Sequence, residues 1–305
     1  MKLQNKIAIV VFAVTMPFMP MLAQGNAVAY APVIPEKVHF ADRVVDLDRI
    51  DFYEREMISF AYGHTNTLLT IKRANRYAPG IVKILKEQGV PEDLVYLAAI
   101  ESHYDNAAVS SAKAVGMWQF MPSTAKEYGL EVNEYVDERL DCDKSTVAAC
   151  KYFKRAYAKY KCWLTVAAAY NAGMGRISKS LETQDVEHAL DLYLNKETSR
   201  YIFRLLAMKL IIENPARYGY AIKANQLYQP LDCDTFVVAE PVKDWVQWSK
   251  EHNITYSLLR EYNPWIRSVS LPNPNNKTYV VKIPKETSLY RSKQTLKTYR
   301  ENWTR

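Results

Sequence analysis

The sequence predicts a mainly α protein, an all-α body followed by a small βααβ module. Three observations carry this. Apolar residues recur at helical spacing almost without a break from about residue 46 to Tyr218, and strand signals are absent over that span. The breaks within it are helix punctuation. Pro79 and Gly80 separate short helices bearing Leu68, Ile71, Ile81, Ile84 and Leu85, and Pro122 opens a helix that Gly129 closes. Beyond Asp234 the pattern turns β-rich at 235–238 and 278–283, with two short helical stretches, 242–251 and 255–262, between them. The body, 46–230, is long enough to bury a single core of its own.

Taken in order, residues 1–29 read as a secretory leader. Lys2 and Lys6 precede an uncharged apolar stretch, 7–22, and Ala27-Val28-Ala29 or Ala23 offers small residues for cleavage. Pro17 and Pro20 interrupt that run, which is short of the ~20 residues a membrane span needs. No membrane span is expected after leader removal. No cysteine precedes Cys142, so no lipid attachment is expected either. Residues 30–45, with Pro32 and Pro35, read as a linker. The expected product is an exported monomer, periplasmic or associated with the cell envelope.

A leader carrying two lysines and no acid takes the formal charge from +7 to +5 when it is removed. Mild positive charge suits an anionic polymer. Nucleic acid is not expected, because no Lys/Arg cluster is interleaved with aromatic residues. The four cysteines, Cys142, Cys150, Cys162 and Cys233, are an even number in an exported chain and could pair, with three connectivities open and a local bridge among the first three one possibility. No CxxC pair is present and the five histidines are scattered, so no metal site is expected, and no cofactor.

The helix that starts after Pro91 carries the first chemical signal. Leu94, Leu97, Ala98 and Glu101 fall at i, i+3, i+4 and i+7, which is one helix face. Three of them are apolar, so the fourth places a carboxyl at the edge of the core near a helix C-terminus. Both surroundings disfavour its charged form. A carboxyl that keeps its proton near neutrality suits a general acid. The plain alternative is a helix-end carboxylate that reaches water or a cap.

Four motifs follow in order: Glu101-Ser102, Gly116-Met117-Trp118-Gln119-Phe120-Met121-Pro122, Ala169-Tyr170-Asn171-Ala172-Gly173, and Glu197-Thr198-Ser199-Arg200-Tyr201. A stretch Tyr135-Val136-Asp137-Glu138-Arg139 and a later Ser145-Thr146-Val147-Ala148-Ala149 lie between the second and third. Over roughly residues 45–220 the chain resembles the lytic transglycosylases of the soluble-transglycosylase superfamily, glycoside hydrolase family 23.

That resemblance implies a lysozyme-like catalytic fold and a carbon-oxygen lyase that cleaves the β-1,4 bond between N-acetylmuramic acid and N-acetylglucosamine in peptidoglycan glycan strands. Glu101 would protonate the glycosidic oxygen, then take the proton of the muramic C6 hydroxyl as a 1,6-anhydro ring closes. Glycosidases usually use two carboxyl groups, and no second acid stands beside Glu101 in its motif. The resemblance makes Ser102, Gln119, Tyr170, Asn171, Tyr201 and Trp118 substrate-binding residues, with the Tyr170 hydroxyl on the catalytic carboxyl and the Asn171 amide on an N-acetyl group. Glu197 would be a structural acid.

Read as residues, several of these have an ordinary explanation. Ser102 could bond the backbone at a helix end, and Met117 and Trp118 could be core, or Trp118 could stack on a sugar. Tyr201 leads an apolar stripe with Leu205, Met208 and Ile212, which suits a core residue as well as a cleft residue. Gly173 suits a left-handed helix cap. His103 reads as a bystander and Asp105 as a cap or surface group. A hydrolase like goose-type lysozyme, or a non-catalytic wall-binding protein, remain the alternatives.

The C-terminal βααβ segment, 235–285, resembles a LysM module, although Ala239-Glu240-Pro241-Val242 replaces the usual Gly-Asp-Thr-Leu. It is expected to fold as a unit, separable from an active catalytic part, with glycan binding left open. Residues 286–305 read as a basic, solvated tail.

Overall fold

The computed structural model describes residues 31–47 and 51–304; the expected leader lies outside them. The segment expected as a linker forms an antiparallel hairpin, β1 (Lys37–Phe40) and β2 (Arg43–Asp46), with Val38 facing Val45. Alternation explains the difference. Val38, Phe40, Val45 and Leu47 are all buried in the main core, and that apolar payoff prevails over the proline signals upstream. The turn is tied down by the Ala41 amide, which donates to Asp93 Oδ2 at 2.7 Å.

Among the described residues eight α-helices form the body. They are α1 (Asp51–Tyr62), α2 (His64–Glu87), α3 (Val95–Ser102), α4 (Pro122–Glu127), α5 (Cys142–Tyr160), α6 (Trp163–Ala172), α7 (Met174–Gln184) and α8 (Lys196–Glu213). The break expected at Pro79 and Gly80 does not occur, and α2 runs through them. Both residues face solvent, where water can satisfy the carbonyl that proline leaves unpaired. On the opposite face Ile71, Ala74, Ala78, Ile81 and Leu85 are fully buried. At roughly 1.5–3 kcal/mol for each large aliphatic side chain this outweighs a proline cost of about 3 kcal/mol. Helices α3 and α6 are buried on nearly every side, Val95 to Ile100 and Trp163 to Ala169, which makes them the central pair. Asp141 and Asn195 cap α5 and α8.

The C-terminal module has the expected βααβ order. Strand β3 (Cys233–Val238) pairs antiparallel with β4 (Tyr279–Pro284), and α9 (Trp245–Glu251) and α10 (Tyr256–Tyr262) lie between them in sequence. Its packing does not stand apart from the body. Its Trp245, Trp265, Ile266, Tyr279 and Val281 share one apolar cluster with Val115, Val136 and Leu140 of the body. The Asp137 amide donates to Trp265 O at 2.9 Å, the Arg267 amide to Tyr135 O at 2.8 Å, and Lys277 and Lys282 pair with Glu131 and Asp143. A mixed core of this kind is not visible to periodicity, because each contributing stretch reads as an ordinary turn.

The tail is also different from the expected solvated end. After α11 (Glu286–Leu289) the chain returns to the body. Buried Asn75 donates to Lys297 O at 3.0 Å and accepts from the Tyr299 amide at 2.7 Å, and Trp303 is 2% exposed with its indole N–H on Ile212 O at 2.6 Å. The four cysteines are free thiols, so the local bridge is not formed; burial pushes the Cys150 thiol up to about 11. Among the described residues no helix is long and apolar enough to cross a membrane.

Candidate active site

Glu101 occupies the last turn of α3, and the chain leaves the helix at once. His103 has φ 56° and Tyr104 φ 53°. The His103 amide reaches Ala99 O and the Tyr104 amide Ala98 O, which is a helix stop usually built on glycine. Two consecutive left-handed residues with side chains are strained by about 1 kcal/mol each. Their surroundings hold them: the buried Tyr104 hydroxyl donates to Val95 O at 3.1 Å, and His103 Nδ1 lies 2.9 Å from Thr70 Oγ1. Burial, then Arg204 and Arg73, keep the His103 imidazole below its usual range. Asp105 pairs with Arg73 at 2.8 Å and caps the turn at Ala107.

Burial pushes the Glu101 carboxyl up to about 7; the Tyr201 hydroxyl and the Arg204 guanidinium pull it down, and the Glu197 carboxylate pushes it up further. The upward direction is the one the sequence predicts. The hydroxyl on the carboxyl, however, is that of Tyr201, which donates to Glu101 Oε1 at 2.5 Å. Tyr170 donates to Trp118 O at 2.6 Å instead. Burial, and then the Glu101 charge, raise the Tyr170 pKa.

Other assignments also change. Ser102 is buried and its hydroxyl donates to Met117 O at 2.9 Å, with Ala98 O at 3.0 Å, so it ties the first motif to the second. Trp118 is fully buried, edge-on to Phe153 at 5.5 Å with its indole N–H on Thr146 Oγ1 at 2.9 Å. It is core and has no face for a sugar. Glu197 is exposed, and among the described residues no hydrogen bond or ion pair holds it. A structural acid would have such a partner. The structural acid here is Glu56, 1% exposed, which takes Arg200 of the fourth motif at 2.6 Å and fixes α8 to α1. Nothing in the spacing of Glu56 signals this.

The second motif is a tight turn. Val115 and Phe120 exchange backbone hydrogen bonds at 3.2 Å, Gly116 has φ 84°, and Gln119 has φ 51°. The Gln119 amide nitrogen donates to Gly116 O at 2.9 Å. Arg139 clamps the turn from below: it donates to Phe120 O at 3.1 Å while paired with Asp137 at 2.8 Å, both side chains nearly buried. A Cβ on Gly116 would stand 2.0 Å from Arg139 O. Gly116→Ala is therefore expected to destabilise the fold by roughly 3 kcal/mol or more, from backbone strain plus displacement of the clamp. A denaturant midpoint unchanged from wild type would show that the clamp yields without cost.

In the third motif Gly173 ends α6 at φ 86° and ψ 140°, a conformation open to glycine rather than the expected left-handed cap. The turn leaves Asn171 half-buried at the helix end, and its amide has no partner among the described residues. Glu101, Tyr201, Tyr170, Gln119 and Asn171 thus come from four motifs. Hydrogen bonds join Ser102 to the second motif, Tyr170 to the second, and Tyr201 to Glu101. A cleft of about 320 Å³ elsewhere, between α2, the start of α5 and the C-terminal module, contains none of these residues.

Comparison with known proteins adds the family context. Residues 81–190 match the transglycosylase SLT domain, and residues 234–287 match the soluble lytic transglycosylase C-terminal LysM-like domain. The chain is 31% identical over 231 residues to membrane-bound lytic murein transglycosylase D of Escherichia coli (strain K12), covering 74% of this chain and 49% of that protein. It is 27% identical over 189 residues to membrane-bound lytic murein transglycosylase C of Haemophilus ducreyi, covering 54% and 51%. It spans about half the length of these two relatives. Among solved structures it is similar to lytic transglycosylase Slt of Pseudomonas aeruginosa, an inactive mutant, at TM-score 0.40 and 19% identity over 55% of this chain and 33% of that one. The chain carries a transglycosylase SLT domain followed by a LysM-like domain of the soluble lytic transglycosylase type.

Proposed function

We propose that this protein is a peptidoglycan lytic transglycosylase, acting in the cell envelope on the glycan strand between N-acetylmuramic acid and N-acetylglucosamine. The observation that carries the reading is the Glu101 carboxyl, raised to about 7 by burial and held by Tyr201. Because Tyr201 donates to Oε1, the acid proton belongs on Oε2. That proton passes to the glycosidic oxygen as the bond to C1 breaks. The resulting carboxylate, steadied by the Tyr201 hydroxyl and the Arg204 charge, then takes the proton of the muramic C6 hydroxyl. The C6 oxygen closes on C1 and the proton returns to Glu101, so the cycle needs no second carboxyl. In this reading the unpartnered amide of Asn171 takes an N-acetyl group.

The names of the relatives and the SLT match support this class of activity. Glu197 favours one alternative. An exposed, unpaired carboxylate near Glu101 could hold a water for hydrolysis, as in a lysozyme. Product analysis separates the two. Mass spectrometry of digested sacculi should give strands ending in 1,6-anhydromuramic acid with no new reducing ends; reducing muramic ends as the main product would transfer the protein to the hydrolases. The rate should also fall as pH rises through about 7, since the acid then reaches substrate already ionised. A rate flat from pH 6 to pH 9 would remove Glu101 from the acid role.

A further inference from the structure

Helix α8 presents Glu197, Tyr201 and Arg204 at i, i+4 and i+7, one face of the helix, and Tyr201 in the middle of that face touches Glu101. Arg204 is half-buried, with its guanidinium carbon 5.8 Å from the centroid of the Phe60 ring. Among the described residues no carboxylate pairs with it. Its neighbours differ: Arg73 is paired with Asp105 and Arg200 with Glu56. Glu101 is no substitute, because its hydrogen bond is to Tyr201 and it keeps its proton up to about 7. His103, close by, has its ring on Thr70 and is biased to the neutral form, so it does not compete with Arg204 as a cation.

A guanidinium partly withdrawn from water and left without a counter-charge is costly, and the cost is recovered when an anion docks on its planar fork. Sugar hydroxyls and N-acetyl groups are neutral. The muramyl unit alone in this polymer bears carboxylates, either the free 3-O-lactyl group or the stem peptide attached through it.

We propose that Arg204 is a specificity-determining residue that binds a carboxylate carried on the muramyl side of the scissile bond. The inference rests on the transglycosylase reading above. It gives the cleft a means to tell muramyl strands from neutral chitin-like strands and to set the strand register, since only every second sugar can offer the charge.

Binding, not turnover, tests it. Glu101→Gln protein, with and without Arg204→Gln, would be titrated calorimetrically with peptide-bearing strands, peptide-stripped strands and a neutral chitooligosaccharide. Arg204→Gln should weaken binding to muramyl strands by about 10- to 100-fold, the span of one charge-assisted hydrogen bond, and change the chitooligosaccharide less than about twofold. Arg204→Lys should recover part of the loss. Loss on peptide-stripped strands alone would support the free lactyl carboxylate, loss on peptide-bearing strands alone the stem peptide, and loss on both a site that takes either carboxylate. Equal weakening on all three ligands would overturn the inference in favour of a packing role on Phe60. No change on any of them would overturn it as well. Failure of Glu101→Gln itself to bind any muramyl strand would overturn the proposed function, and this inference with it.

Discussion

Glu101→Gln is expected to lower turnover by about a thousandfold or more while the fold and glycan binding persist. The amide oxygen can accept the Tyr201 hydrogen bond as the carboxyl does, so the local geometry survives. What is lost is the proton. A variant that kept more than about a tenth of wild-type turnover would end the assignment of Glu101 as the acid. Stability supplies a second readout with a definite sign. The folded protein holds this proton to about 7, whereas an unfolded glutamate releases it near the usual 4.5. Across that window the folded state binds more protons, so the Glu101 contribution to stability falls as pH rises. Glu101→Gln removes the group and the penalty together. Its Tm should match wild type at pH 4 and exceed it at pH 8.

Much of this site was legible because its chemistry is written in local spacing. The stripe of Leu94, Leu97 and Ala98 places Glu101 at the core edge, and that placement is what raises its pKa. The same rule cannot assign hydrogen bonds across the fold. Tyr201 is buried and Tyr170 half-buried near Glu101, and only their packing decides that one serves the carboxyl and the other the Trp118 carbonyl. Trp118 and Ser102 fell to the ordinary reading for a related reason: motif residues can be shared because they build the loop rather than because they touch a ligand. Glu56 and Arg204 were missed altogether, and Arg139 was quoted within a motif but given no role. Glu56 meets its partner Arg200 far away in sequence, Arg139 acts on the distant Phe120 carbonyl although its own ion pair to Asp137 is local, and what Arg204 lacks is visible only in the packing. The hairpin was missed because four-residue strands give periodicity little to work with.

The C-terminal segment is where sequence grammar misled most, and it gives the other large expected effect. Composition makes residues 286–305 a solvated tail, and the βααβ pattern makes 235–285 a detachable module. The packing opposes both. Trp303→Ala is expected to cost about 3–5 kcal/mol, the range for emptying a buried aromatic site, because the side chain is 2% exposed and also satisfies the Ile212 carbonyl. Truncation after residue 285 should cost more, since it also leaves the buried Asn75 amide without the Lys297 carbonyl and Tyr299 amide, at about 1–3 kcal/mol for the orphaned groups. Truncation after residue 230 adds exposure of Val115, Val136 and Leu140 beside the motif turn that Arg139 clamps. Against a total stability of about 5–15 kcal/mol these losses should leave the shortened chains largely unfolded or insoluble. Chemical denaturation of Trp303→Ala and circular dichroism of the two truncations would measure this. Truncated chains that melt cooperatively near the wild-type Tm would mean that the segment is docked on the body without supporting it. The module would then be separable from the body, as the sequence pattern predicts. If instead the truncations collapse, the LysM-like fold serves here as a structural wall of the catalytic body, and any contribution it makes to glycan binding is made from a fixed position.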